Sequence, residues 1–142
     1  MAQFKRIKDN RAGLTIIEII GELTHGEIPR FLESLHVDDA SSRAIFDFRA
    51  ADLSALAKTR IKSDIYKVKK FAHPELKAAL VFSNPEDFSI GRIISRAVSK
   101  EGYLADIRGF YNLFLAKDWL LFQGLSYPES PEQLAWNQSA AD

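Results

Sequence analysis

The chain has 142 residues, 46% of them apolar, with 19 basic against 19 acidic side chains and no cysteine. That length builds one core and asks for no second domain, and the balanced charge removes the global attraction behind non-specific nucleic-acid binding. The lack of cysteine excludes a disulfide framework, a thiolate metal site and a cysteine nucleophile together.

The opening MAQFKRIKDN is charged, and no apolar run nears the roughly 20 residues that span a bilayer, so a cytoplasmic protein without a transmembrane segment is expected. Residues 3–8 (QFKRIK) and 14–23 (LTIIEIIGEL) flank the turn formers DNRAG, in which Gly13 can take a positive φ; the expectation is an antiparallel strand pair. The second strand is nearly continuously apolar, as suits a central strand covered on both faces. Thr24 and Glu27 have capping-box spacing and Pro29 favours a first helical turn, so a helix with the stripe Ile28, Phe31, Leu32 and Leu35 starts nearby.

SSRAIFDF reads as a strand, buried from Ile45 to Phe48, that leaves through a polar turn. ALAKTRIKSDIYKVKKF then predicts a helix, with Ala57, Ile61, Ile65, Val68 and Ala72 on one face. LKAALVFS (76–83) is another buried strand, and His73 ahead of it is expected in a surface loop. Asn84 is placed to cap a helix that opens on Pro85, Glu86 and Asp87, repeats Ile90, Ile93, Ile94, Ala97 and Val98, and closes at Gly102. ADIRGFY is the last strand, Asn112 a second cap, and LFLAKDWLLF the last helix. Beyond it, residues 125–142 are polar and proline-broken, a tail expected to be loosely ordered, in which Trp136 stands as an isolated aromatic.

The order is ββαβαβαβα: one α/β domain over residues 1–124, with a mixed, mainly parallel five-stranded sheet, about four helices and right-handed crossovers.

The closing ADIRGFYNLFLAKDWLL resembles the signature that ends small STAS-like domains of the SpoIIAA-like group: a strand with Arg and Phe, a short turn, then a helix with an inward Ala and a Trp-Leu pair. Arg108, Phe110, Ala116, Trp119 and Leu120 occupy those places. The resemblance implies a non-enzymatic class that includes anti-sigma factor antagonists, STAS domains of anion transporters and uncharacterised bacterial stand-alone members, with a distant likeness to CRAL-TRIO lipid-binding domains. In the antagonists, an Asp-Ser-Ser-Gly segment opening a helix carries the phosphorylated serine. Asp47 fits the aspartate ending the preceding strand, but the switch position falls on Ala55, Leu56 and Ala57. That departure favours the uncharacterised branch over a kinase-controlled antagonist.

Each candidate residue has two readings. Ser54 precedes a helix, where capping or a plain loop role competes with a modified or ligand-facing serine. Asp47 and Asp52 lie at the strand's C-terminal end, where parallel sheets present ligand sites, yet turn formation suits them better than metal binding or acid–base work. His25, His36 and His73 are scattered and form no zinc spacing, and no cofactor-binding fingerprint is present. Lys58, Arg60, Lys62, Lys67, Lys69 and Lys70 oppose only Asp64 over residues 58–70, either as a solvated helix face or as a surface for an acidic partner, a phosphorylated ligand or a membrane headgroup. The aromatic-rich C-terminal half builds a core or, alternatively, lines a pocket for an apolar ligand.

The functional expectation is therefore a regulatory or protein-interaction module without the phosphoserine switch, with an unidentified protein partner and room for a homodimer. The alternative is a carrier holding a small apolar or anionic ligand between sheet and helices; an enzyme ranks last.

Overall fold

The computed structural model describes residues 2–9, 13–34, 43–66, 73–100 and 104–121. Strands β1 (Gln3–Asp9) and β2 (Leu14–Glu22) pair antiparallel, turning at Gly13, whose φ of 64° suits a residue without a Cβ. One 3-10 turn (His25–Glu27) leads into α1 (Ile28–Ser34), followed by β3 (Arg43–Asp52), α2 (Lys58–Tyr66), β4 (His73–Val81), α3 (Pro85–Lys100), β5 (Leu104–Phe110) and α4 (Leu113–Leu121). The order is the one expected from the sequence.

The strands lie side by side in chain order, with β2 to β5 parallel. Each crossover therefore steps in the same direction, and a right-handed crossover repeated in one direction puts its helix on the same face each time. Helices α1, α2 and α3 thus share one side of the sheet, and α4, which follows the last strand, folds onto the other. Strand alternation sorts the core accordingly. Phe46, Phe48, Leu80 and Phe82 join Phe31, Ile61, Phe88 and Ile94 on the three-helix side, while Ile45, Ala79, Val81 and Phe110 meet Ala116, Trp119 and Leu120 of α4.

A run of rings fills the three-helix side. Phe31 lies 5.6 Å from Phe46 and 5.5 Å from Phe48; Phe48 stacks on Phe82 at 5.2 Å, Phe82 meets Phe88 at 5.9 Å, and Phe88 stacks on Tyr111 at 4.6 Å. Helix α3 passes so close to this run that a Cβ on Gly91 would fall 2.0 Å from the Phe82 ring. A mid-helix glycine, which costs roughly 1 kcal/mol against alanine, is what lets the ring in.

Three expectations need correction. Strand β3 does not stop at Phe48: Gly21 and Glu22 of β2 remain paired with Ala51 and Asp52, and the Leu23 N–H donates to the Asp52 carbonyl. A bulge sets Ile19 against both Phe48 and Arg49, so the ladder carries the polar residues along. His73 is the first residue of β4, in register with Leu104, rather than a loop residue. Helix α2 begins at Lys58, three residues later than its pattern suggests. Lys67, Lys69, Lys70, Gly102 and the expected tail with Trp136 lie outside the described residues.

Candidate functional site

The C-terminal ends of β3 and β4 form an edge built from two turns. After β3, the Asp52 carboxylate accepts the Ser54 N–H at 2.9 Å and the Ser54 hydroxyl as well. Those two bonds, hydroxyl first, hold the exposed Asp52 carboxyl below its ordinary value. After β4, Asn84 caps α3: its Oδ1 accepts the Asp87 N–H at 2.8 Å, and its Nδ2 donates to the Asp87 carboxylate at 3.1 Å. Between the turns lies a cleft of about 370 Å³ lined by Asp52, Ser54, Asn84, Glu86, Asp87 and Ile90. Burial, with the neighbouring charges of Glu86 and Asp52, pushes the Asp87 carboxyl up against the opposing bond from Asn84. Beside the cleft, the exposed Lys58 donates to the Ser89 hydroxyl at 3.3 Å, so acidic and basic groups share one edge.

The turn into α2 is clamped from a distant part of the chain. His25 Nε2 accepts the Ala57 N–H at 2.8 Å while Nδ1 faces an Asp64 carboxylate oxygen at 2.5 Å. A backbone amide can only donate, so Nε2 is the bare nitrogen and Nδ1–H donates to Asp64. This resembles the base-and-orienter half of a catalytic triad, but the nitrogen that would serve a nucleophile is occupied by the amide that opens α2. The pair thus acts as a cap and strap. Glu27, two residues on, is buried as well: it accepts the Ala2 N–H at 2.8 Å, the Thr24 N–H at 3.1 Å and the Thr24 hydroxyl at 3.2 Å. Burial pushes its carboxyl up, but these bonds together outweigh it and hold the group below its ordinary value.

The structure separates the residues that the sequence offered as one loop site. Asp47 is buried on the α4 side, its carboxylate held by Arg49 through Nε at 2.9 Å, a terminal nitrogen at 2.8 Å and the backbone N–H at 3.0 Å. It lies away from the cleft and is no second carboxylate beside Asp52. Ser54 is exposed and does not cap α2; the residue at the cap is Ala57, whose carbonyl accepts the Arg60 N–H. Ala55, Leu56 and Ala57 lie in the turn between β3 and α2. On α2, Lys58 and Arg60 are exposed while Ile61 and Asp64 are buried.

The closing signature is structural. Phe110 of β5 and Ala116, Trp119 and Leu120 of α4 are all buried between the helix and the sheet, the Arg108 guanidinium sits 5.0 Å over the Trp119 ring, and Asp106 pairs with Arg108 at 3.6 Å. Sequence reasoning missed His25, Asp64 and Glu27 as a group, because partners 39 and 25 residues apart leave no local pattern. Among the described residues no three potential ligands of the His, Asp and Glu types gather as a metal group, and no helix is long and apolar enough to cross a membrane.

No family model and no curated protein matches the chain. Among solved structures, it is similar to an uncharacterised protein of the DUF3478 family from Shewanella loihica, described as having a SpoIIAA-like fold: 17% identity, 84% of this chain and 93% of that one covered, TM-score 0.49. Among the described residues the sheet is mixed and five-stranded and carries four α-helices, the architecture expected from the sequence.

Proposed function

We propose that the chain is a regulatory, non-enzymatic interaction module that binds an acidic segment of a protein partner along α2. The observation that carries this reading is the outward pair Lys58 and Arg60 on a helix whose entry is fixed by the His25 clamp. A helix held by its own fold presents its cations without the cost of ordering the backbone on binding. A ligand carried between sheet and helices would instead have to displace the Phe31 to Tyr111 ring series.

The test is recovery of partners by pull-down with the wild type and with the double variant Lys58→Glu, Arg60→Glu. Loss of one partner from the variant, together with weakening of the wild-type complex at high salt, supports the module. A partner held equally by both, or a lipid-sized mass retained by the purified protein in native mass spectrometry, would overturn it.

A further inference from the structure

Helix α4 is apolar on more faces than the sheet can cover. Ala116, Trp119 and Leu120 face inward, yet Phe114 is 72% and Leu121 36% exposed. At helical spacing Phe114, Lys117, Asp118 and Leu121 fall on one outward stripe about 100° wide, opposite the buried residues. Neither Lys117 nor Asp118 enters an ion pair among the described residues.

The order of that stripe is a mirror of itself in chemistry. Phe114 and Leu121 stand equally far from the midpoint between Lys117 and Asp118. A second α4 laid antiparallel across a two-fold axis at that midpoint sets Phe114 against Leu121 and Lys117 against Asp118, twice each. An isologous dimer needs such self-complementarity, because one patch must fit its own copy. On the same side of the sheet, Ile7, 38% exposed and paired in register with Ile16, widens the apolar surface.

We infer that α4 is a homodimer seam, with a second copy of this chain packed antiparallel on the Phe114–Leu121 stripe. It lies on the sheet face opposite α2, so it leaves the proposed partner surface open and does not rest on that reading. A helix of nine residues covers less than the roughly 800 Å² per partner of a standard interface, so the association is expected to be weak and transient.

The test is sedimentation equilibrium of the full chain from micromolar to millimolar concentration. The wild type should approach twice 16.0 kDa. Phe114→Asp should weaken association about tenfold or more, with circular dichroism unchanged. K117D places only acids at the seam and D118K only bases, so each alone should stay monomeric while an equimolar mixture of the two forms a heterodimer. A folding defect or a purely local role for these residues cannot produce that rescue. A wild type that remains at 16.0 kDa at millimolar concentration overturns the inference. Phe114 shielded from surface labelling in that monomer would assign the stripe to residues 122–142 instead. A dimer unaffected by all three variants overturns it equally, placing the interface elsewhere.

Discussion

The two faces of the sheet are built from the same strands but finished differently. The side bearing α1, α2 and α3 is a thick layer closed by a continuous run of rings, while the other side, among the described residues, has a single helix over the β3 to β5 half. The asymmetry follows from strand order alone: every crossover steps the same way, so handedness sends all three connecting helices to one side. Among the described residues, one face is closed by three helices and the other by one.

The comparison makes its strongest prediction for ring deletions. Phe48 touches rings on both flanks and has no room to resettle, so Phe48→Ala should cost about 4–5 kcal/mol in urea unfolding. Trp119, on α4, meets the Phe110 ring on one side and the flexible Arg108 side chain on the other, so Trp119→Ala should cost about 3 kcal/mol. An equal or larger loss at Trp119 would mean that the single-helix face is as closed as the other.

A smaller and more pointed effect belongs to Gly91. Alanine there gains helix propensity but forces its Cβ into Phe82, a ring wedged between Phe48 and Phe88, so Gly91→Ala should destabilise by about 2 kcal/mol. In a Phe82→Leu background the same change should fall to near zero or become stabilising. If the two substitutions simply add, the ring is not what demands the glycine.

How legible this was in the sequence differs between local and distant signals. Asn84, Pro85 and Asp87, Gly13, and Asn112, whose Oδ1 accepts the Phe114 N–H at 2.7 Å, could be read because each acts on neighbours within three residues. The element order followed from periodicity for the same reason. The continuation of β3 through Arg49 to Asp52 was hidden, because pairing with β2 rather than residue character holds it there. Gly91 carries no local signal of its role, which comes from the Phe82 ring packed against it. At the candidate site, Asp52 and Ser54 were legible as a turn, whereas the His25 clamp and the diversion of Asp47 to Arg49 required the fold.

Glu27 tests how firmly the closed face is tied to the chain's beginning. Glu27→Gln keeps the shape but leaves one of three donors facing an amide, and should cost about 1–2 kcal/mol at neutral pH. The folded carboxyl lies below its ordinary value, so its stabilisation is complete above the unfolded pKa of about 4.3 and is lost as pH falls through the lower folded value. The difference between wild type and variant in urea midpoints should therefore narrow on acidification below about pH 4. A gap that stays constant to pH 3 would mean that the bonds matter as shape and not as charge.

The smallest effect is expected where the sequence first suggested a switch. As a helix cap, Ser54 would lose about 1 kcal/mol on replacement by alanine, but the position that opens α2 is Ala57, strapped by His25. Ser54 is exposed, and its hydroxyl only supplements a turn that the Asp52 carboxylate also makes with the Ser54 amide, which alanine retains. Ser54→Ala should thus shift stability by less than about 0.5 kcal/mol, while His25→Ala, which frees both the Ala57 amide and the buried Asp64 carboxylate, should cost several times more. A Ser54→Ala loss as large as that of His25→Ala would return the serine to the helix start and put the clamp in question.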